Sequence, residues 1–326
     1  MGKQFVKDLK IGNYVQSQFF VVDVSEQPFS SPNRSGETFL KVMLADISGT
    51  IKGIIWDRSI MHEPIYTDDV LNISGEVKDY YGPQLNINCY EKVGRDKINR
   101  SYFQQVSERD PEVMWLELQN ITAATVRDTH LSALLDLFYI DRGLVERFKL
   151  SPAARIIHHS YLGGLLEHTL EVIATCRHAA VLYPRQLNES LLITGAIFHD
   201  MGKIEEYNMD SLSFQQTDRG RLLGHIAIGL EILRGKIAAL PAFPQGLKME
   251  LEHMLLSHHG EKEWGSPEIP QTFAAFTLFH ADLLSARLKQ FEQVMSRGGA
   301  VDGAWTKRDR FLQRSIFTGG DMDKTL

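Results

Sequence analysis

The chain has 326 residues, of which 43% are hydrophobic, 10% aromatic and 23% charged. This length accommodates about two domains of ~150 residues, and the ordinary composition excludes disordered, collagen-like and mucin-like proteins. The sequence contains no run that is long and apolar enough to span a membrane, and no apolar signal segment follows its start. We therefore expect a protein that does not bind membranes. The sequence has only two cysteines, Cys89 and Cys176, and they lie far apart, which predicts a cytoplasmic protein.

The net charge limits the class of binding partner, and the histidine content indicates where a functional site lies. The net charge of −6 argues against a protein that coats nucleic acid by bulk charge, although a local basic track remains open. Of the 12 histidines, ten lie between His158 and His280. An excess of imidazole in one part of the chain indicates a function located there.

Residues 1–95 are predicted to form strands, because apolar residues alternate there with the two-residue spacing of half-buried strands. The alternating sets are Leu40, Val42 and Leu44; Leu71, Ile73 and Val77; and Leu85, Ile87 and Cys89. Further strands are predicted around Tyr14 to Val24 and from Thr50 to Trp56, followed by a short helical piece around Asp57 to Ile65. Five strands with that interruption match the order of an OB-fold barrel.

Residues 96–150 are predicted to form a linker and the first helices of a second domain, since Asp110-Pro111-Glu112 is a helix start. Residues 151–295 are predicted to be helical throughout, and 296–326 to form a C-terminal basic segment. The helices are expected within Leu162 to Ile173, Leu191 to Phe198, Leu222 to Leu240, Leu247 to Ser257 and Phe273 to Val294. The fold class is therefore a multidomain α and β protein, with an N-terminal five-stranded OB-fold barrel and an all-α helical bundle.

Polar residues interrupt the apolar stretches of this bundle. They are His168, His199, Asp200, His225, His258, His259 and Asp282. A buried charge is costly unless it is paired or bound to metal, so a shared cation explains the whole set. The ligands are too many for one tetrahedral zinc ion and about enough for two octahedral ions, with carboxylate oxygens able to bridge them.

The order His168, His199-Asp200 and Asp282 resembles the HD superfamily of metal-dependent phosphohydrolases, and His-Asp-Met-Gly-Lys at 199–203 is similar to its His-Asp-x-Gly-Lys segment. The layout resembles still more closely the YhaM-type 3′→5′ exoribonucleases, which pair an OB domain with an HD domain. They carry segments like those at His158 to Thr169 and Ser257 to Gly260. The resemblance covers nearly the whole chain.

The resemblance implies a metal-dependent exoribonuclease that hydrolyses single-stranded RNA to 5′-mononucleotides by attack of a metal-activated hydroxide. Single-stranded DNA is an alternative substrate. The metal ligands would be the seven residues above, with His259 replacing or joining His258, while Asp200 and Lys203 would be catalytic. Arg155, His158 and His159 would contact substrate, unless the two histidines only cap a helix. Manganese is the expected ion, two per site, with iron, cobalt or zinc as alternatives.

The resemblance also implies that the barrel binds single-stranded nucleic acid, through outward residues of its second and third strands and through its last hairpin. The candidates are Phe39, Lys41, Tyr80 and Tyr81, with Lys52 as a further cation. The alternative is a barrel that binds protein or only packs against a neighbour. Two other functions stay open, a phosphohydrolase of small nucleotides or cyclic dinucleotides and a non-catalytic nucleic-acid-binding protein. A homo-oligomer is also open. The C-terminal cations Lys307, Arg308, Arg310 and Arg314 fit either a solvated helix face or a phosphate track.

Overall fold

The computed structural model describes residues 2–29, 31–154, 159–209, 211–212, 214–297 and 304–319. Contacts between Cα atoms divide the chain into two compact units. The barrel unit comprises Met1–Gln105 with Asp210–Ser213, and the helical unit comprises Val106–Met209 with Phe214–Leu326. In the part of the chain that the structure describes, no helix is long and apolar enough to cross a membrane.

The barrel unit contains the predicted five-stranded closed barrel. Its strands are β1 (Tyr14–Pro28), β2 (Thr38–Asp46), β3 (Gly49–Ile55), β4 (Val70–Asp79) and β5 (Pro83–Lys92). They neighbour one another in the order β1-β2-β3-β5-β4, and only the pairing of β3 with β5 is parallel. This confirms the predicted barrel. Between β3 and β4 the described chain forms only a 3₁₀ turn, Arg58–Ile60, where the sequence predicts a longer helical piece.

Alternation places the barrel core as expected on most strands, and one exception has a local cause. Val42 and Leu44 are fully buried on β2, as are Leu71 and Ile73 on β4. The prediction that Cys89 shares the buried face of Leu85 and Ile87 is wrong: Cys89 is exposed, and its neighbour Tyr90 is buried instead. The β4–β5 register shifts between Ser74 and Gly75, because β5 has one extra residue there and its later side chains change face.

The helical unit consists of nine described helices. They are α1 (Pro111–Thr125), α2 (Thr129–Tyr139), α3 (Arg142–Leu150), α4 (Gly164–Leu182), α5 (Glu189–Phe198), α6 (Lys203–Glu206), α7 (Asp218–Ala238), α8 (Gln245–Ser257) and α9 (Phe273–Arg297). Asp110 caps α1 by accepting from the backbone N–H groups of Glu112 and Val113, as predicted. Helix α7 begins earlier than predicted and is kinked at Gly224, where φ is 71°.

Helix α5 lies at the centre of the helical unit. It packs against α1, α2, α4, α8 and α9, and every residue from Ser190 to Phe198 is buried. A helix surrounded by others has no polar face, which explains why its sequence is apolar on all sides. The residues that follow its last turn, His199 and Asp200, are therefore held inside the protein, at 0% and 2% exposure.

The bulge between β4 and β5 gives a first prediction. A Cβ atom at Gly75 would overlap the backbone carbonyl of Asn86, so Gly75→Ala must push the two strands apart. We expect a loss of about 2 kcal/mol in local stability, or about thirtyfold faster amide exchange across the barrel strands, measured by mass spectrometry. Gly235→Ala, in α7 with open space around the new Cβ, is the control and should leave barrel exchange unchanged. Unchanged exchange in Gly75→Ala would show that the strands tolerate the added methyl group.

Candidate metal centre

Five helices bring the seven predicted ligands into one place in the helical unit. His168 comes from α4, His199 and Asp200 follow α5, His225 comes from α7 directly after its kink, His258 and His259 follow α8, and Asp282 comes from α9. Adjacent histidine rings along this set have centroids 4.4–5.7 Å apart. Side chains separated by more than a hundred residues in sequence thus form one continuous cluster.

One part of the cluster surrounds Oδ2 of Asp200. This oxygen lies 3.4 Å from Nε2 of His199 and 3.7 Å from Nε2 of His168. Oδ1 of Asp282 lies 3.0 Å from Nε2 of His168 and 4.0 Å from Nε2 of His199. The two imidazole nitrogens are themselves 3.3 Å apart. Two nitrogens and two carboxylates therefore converge on one point.

A second part of the cluster surrounds the other oxygen of the same carboxylate. Oδ1 of Asp200 lies 3.6 Å from Nε2 of His225 and 3.6 Å from Nε2 of His258. Nε2 of His259 lies 3.3 Å from Nε2 of His225. The three histidines alone have ligand atoms within 4.8 Å of one another. Asp200 is thus shared by two adjacent donor sets, one on each of its oxygens.

Backbone contacts fix which nitrogen of two histidines faces the cluster. Nδ1 of His199 lies 2.7 Å from the carbonyl oxygen of Ala196, and Nδ1 of His258 lies 2.7 Å from that of Leu255. A carbonyl only accepts, so each Nδ1 must carry the proton and donate it. When the ring is neutral, its Nε2 then presents a lone pair to the cluster, which is the form that binds metal.

Side chains that the sequence analysis missed do the same for His168 and His225. Ser285 donates to Glu171 at 2.6 Å and lies 2.9 Å from Nδ1 of His168, so its oxygen is available to accept from that nitrogen. Glu206 Oε2 lies 3.1 Å from Nδ1 of His225. A sequence signal existed for Glu171, because it follows His168 by three residues on the same helix face. Ser285 and Glu206 are identified only by the folded arrangement.

The unmet polar groups of this cluster fit a cation. Among the described residues, Oδ1 of Asp200 and Nε2 of His258 are buried without a hydrogen-bond partner. The Nε2 atoms of His168 and His199 lie 3.3 Å apart, and with both rings neutral and protonated on Nδ1 they would point lone pairs at each other. Like lone pairs at that distance repel unless a proton or metal ion lies between them. Imidazole nitrogen with carboxylate oxygen is a donor set that first-row transition metals prefer.

The electrostatics of the cluster agree with its use as a ligand set. Burial lowers the pKa values of His168 and His258, and burial together with the neighbouring histidines lowers that of His259 to about 3. These three rings are therefore neutral at neutral pH, as ligation requires. The pKa of His199 is raised instead, because its burial is outweighed by the carboxylates of Asp200 and Asp282. Burial alone would raise the pKa of Asp200, but Lys203 and His199 outweigh it and hold that pKa well below its usual range. The shared carboxylate is charged.

A cavity of about 360 Å³ opens on this cluster. His258, His259 and Asp282 line it, so the ligand set is accessible from one side. Lys203 lines it as well and forms an ion pair with Asp200 Oδ2. A cation beside the ligands and facing the cavity is suitable for an anionic substrate such as a phosphodiester.

Comparison with known proteins agrees with this arrangement. The model of the HD domain family matches residues 165–287, which include all seven residues of the cluster. The 3′-5′ exoribonuclease YhaM of Bacillus velezensis is 30% identical over 319 residues, covering 94% of this chain and 95% of that protein. The YhaM of Listeria monocytogenes is 30% identical over 298 residues, covering 88% and 90%, and that of Bacillus subtilis is 29% identical over 320 residues, covering 94% and 95%. The chain belongs to the YhaM family of 3′-5′ exoribonucleases.

Of the three residues predicted to contact substrate upstream of His168, only His159 lies in the described part of the structure. His159 is fully buried, with Nδ1 2.9 Å from the Tyr161 hydroxyl and Nε2 3.1 Å from Glu171. It contacts Glu171, the carboxylate that accepts the hydrogen bond from the Ser285 hydroxyl. Arg155 and His158 lie outside the described residues.

The barrel unit presents its candidate residues on its outer surface. On β2, Phe39 and Lys41 are half-buried and alternate with the core residues Leu40 and Val42. Tyr80 and Tyr81, in the turn between β4 and β5, are 63% and 97% exposed.

Sequence reasoning missed two partners of Phe39. Its ring centroid lies 4.8 Å from that of Trp56 and 5.1 Å from that of Phe29, which makes an aromatic cluster at one end of β2. Trp56 follows β3 directly, and its indole N–H donates to Asn86 at 3.2 Å. The cluster offers partly exposed aromatic faces at the end of the strands that OB folds use to bind oligonucleotides.

A glycine in the family segment tests the geometry of the centre. A Cβ atom at Gly202 would overlap the carbonyl oxygen of His225, so Gly202→Ala must displace the start of α7 beyond its kink. We expect metal affinity to fall about 10- to 100-fold, measured by elemental analysis and competition with a chelator. Gly235→Ala, farther along α7, should retain normal affinity. Equal metal binding in both variants would contradict the role of the His225 backbone position.

Proposed function

We propose that this protein is a metal-dependent exoribonuclease that removes nucleotides one at a time from the 3′ end of single-stranded RNA. The carrying observation is the position of Asp200, whose two oxygens each lie within 3.7 Å of two histidine Nε2 atoms. Two adjacent ligand sets joined by one carboxylate are the arrangement that phosphodiester hydrolysis uses. Family membership supports the direction of attack, because the relatives are named 3′-5′ exoribonucleases.

The residues present would hold two divalent ions, for which we propose manganese. His168, His199 and Asp282 with Oδ2 of Asp200 would hold one ion, and His225, His258 and His259 with Oδ1 of Asp200 the other. Such ions, when bound, lower the pKa of a water molecule and neutralise charge on a phosphate. The chain orients four of the five imidazole rings, His199 and His258 through backbone carbonyls, His168 through Ser285 and His225 through Glu206.

The chain's own residues then position the phosphodiester. Lys203 is 8% exposed at the cavity wall, where its ammonium group would bind a non-bridging phosphate oxygen and stabilise the added negative charge. Hydrolysis forms a bond from a water oxygen to phosphorus and breaks the bond from phosphorus to O3′ of the preceding nucleotide, which takes up a proton. The products are a 5′-mononucleotide and a chain shortened by one. His159 has a positioning role in this proposal, since it contacts Glu171 rather than the cavity.

The barrel would hold the single strand. Phe39 and Trp56 offer aromatic faces for stacking, and Lys41 and Lys52 lie on the same outer face, where they form no ion pair with a described residue. Stacking tolerates every base, as degradation of a whole chain requires. Tyr80 and Tyr81 extend this surface to the hairpin. Cleavage of single-stranded DNA and self-association stay predictions.

Loss of the shared carboxylate tests the catalytic proposal. Asp200→Ala removes one ligand from both sets, so bound metal should fall and RNA cleavage should slow by at least about 10³-fold, equivalent to several kcal/mol of transition-state stabilisation. The assay follows RNA labelled at either end, beside mononucleotides and a cyclic dinucleotide. RNA labelled at the 3′ end should release a labelled mononucleotide as its first product.

Asp136→Ala, which removes an exposed carboxylate on α2, is the matched control and should cleave normally. Full activity in Asp200→Ala would exclude the proposed centre. Faster hydrolysis of the cyclic dinucleotide than of RNA would favour a small-nucleotide phosphohydrolase instead.

The barrel surface is tested by binding. Phe39→Ala, Trp56→Ala and the double change of Tyr80 and Tyr81 to Ala should each weaken binding of a labelled RNA oligomer about 10- to 100-fold, since stacking contributes ~1–3 kcal/mol per base. Fluorescence anisotropy measures the affinity, in the Asp200→Ala background so that the RNA stays intact. Trp305→Ala, which removes an exposed tryptophan of the helical unit, should bind normally. Unchanged affinity in all three barrel variants would remove the barrel from substrate binding.

A further inference from the structure

The cavity at the metal centre extends beyond the ligands, along α9. Asp282, Ala286 and Gln290 line it at intervals of four residues, which places them along one face of that helix, and Arg287 lines it beside Ala286. At 1.5 Å per residue, Gln290 lies about 12 Å along the helix from Asp282. This part of the cavity is therefore too far away to hold the phosphate that is cleaved, and it has room for a group attached to that phosphate.

Gln290 lines this part of the cavity and carries a buried hydrogen-bond donor, Nε2, that has no partner among the described residues. Its side chain is 4% exposed, and its Oε1 accepts from Nη1 of Arg287 at 3.1 Å. That contact fixes the orientation of the amide, because the reverse orientation would set an amide N–H₂ against the guanidinium group. Among the described residues Nε2 has no hydrogen-bond partner, and a buried donor left unpaired costs about 1–3 kcal/mol. A ligand with an acceptor at this position would remove that cost.

Aromatic residues form another wall of the cavity. Trp264 is 53% exposed, and its ring centroid lies 6.2 Å from that of Phe279, which also lines the cavity. Trp264 ends a short 3₁₀ turn, four residues after Gly260. Gly260 has a φ of 80°, and a Cβ atom there would overlap the Phe279 ring. Phe311 from the C-terminal part lines the cavity as well. A large exposed aromatic surface beside a charged centre is suited to a flat, partly apolar group.

We propose that this extension binds the base of the nucleotide at the 3′ end of the RNA. The base stacks on Trp264, and Nε2 of Gln290 donates to an acceptor on the edge of the base. Arg287 keeps the Gln290 amide oriented through its hydrogen bond to Oε1. This assignment rests on the proposed exoribonuclease function, which supplies a terminal nucleotide whose 5′-phosphate lies at the metal centre.

The decisive experiment compares two RNA oligomers that differ only in the last nucleotide. One ends in an ordinary nucleotide and the other in an abasic ribose, and the rate of the first cleavage is measured in a single turnover. The wild-type protein should cleave the abasic end about 10- to 100-fold more slowly, which is the effect of losing one stacked base. Trp264→Leu should slow cleavage of the ordinary end by a similar factor and leave the abasic end unchanged. Gln290→Met should act in the same direction.

Trp305→Leu is the matched control, because Trp305 is 49% exposed and is not among the residues that line the cavity. Elemental analysis of each variant establishes that the metal centre is intact. Equal slowing of both oligomers in Trp264→Leu and Gln290→Met, or equal wild-type rates on both, would overturn the base pocket. Failure of the metal-loaded wild-type protein to cleave either oligomer would instead refute the exoribonuclease function.

A measurement on the wild-type protein alone avoids any folding defect of the variants. A nucleoside 5′-monophosphate and ribose 5-phosphate share the sugar and the phosphate, and only the first carries a base. If the extension binds the base, the nucleotide should inhibit RNA cleavage about tenfold or more better than ribose 5-phosphate. Equal inhibition constants would contradict the proposal.

Discussion

The arrangement of the metal centre depends on a single buried carboxylate, Asp200, whose two oxygens face histidines from four helices. It is 2% exposed and charged. Burying a charge costs desolvation free energy, which only cationic partners around it can offset. The ion pair with Lys203 offsets part of the desolvation cost at Oδ2. Oδ1 has no described hydrogen-bond partner and faces the imidazole nitrogens of His225 and His258. The apolar residues of α5 bury this carboxylate on the side away from the cavity. Because α5 offers no polar partner, the polar partners of this carboxylate must come from the side chains that α4, α7, α8 and α9 bring to it.

The position of each histidine in its helix explains how its orientation is maintained. His199 and His258 stand just past the last turns of α5 and α8, where backbone carbonyls lack helical N–H partners. Their Nδ1 atoms use those carbonyls, so helix termination and ligand orientation are satisfied by one hydrogen bond. His168 lies within α4, where the carbonyls are already used, and it requires Ser285 and Glu171 from outside its own turn. Ligands within helices thus depend on additional side chains, and ligands at helix ends do not.

Much of the fold follows from local patterns in the sequence. Alternation over Leu40 to Leu44 and the Asp110-Pro111 start report properties of a few neighbouring residues, and those elements form as predicted. The buried face of β5 after Ile87 could not be predicted in this way, because its register depends on a bulge against β4. The length of the β3–β4 helical piece was overestimated for a related reason. The composition near Asp57 is compatible with a helix. In the structure, the segment between β3 and β4 forms only a 3₁₀ turn.

The candidate site divides along the same line. Histidines and aspartates within apolar helices can be recognised from the sequence alone. All seven members of the cluster could therefore be named before their geometry was known. Ser285, Glu206 and Trp56 are ordinary polar and aromatic residues in sequence, and only their contacts with His168, His225 and Phe39 mark them. His159 shows the opposite case. Its place in a motif suggested a substrate contact, whereas both of its ring nitrogens have protein partners.

The chemistry of Gln290 bears on how a nuclease can recognise a base without selecting one. A site that satisfies both donors and acceptors of a particular base rejects the others strongly, by factors as large as about 10⁴. An enzyme with that discrimination would stop at the first unsuitable nucleotide. In this cavity Arg287 already occupies the amide oxygen of Gln290, so only the donor remains, and every nucleobase has an acceptor on its edge. Together with stacking on Trp264, a lone donor gains binding energy from each base in turn, and the enzyme can proceed along a chain of any sequence.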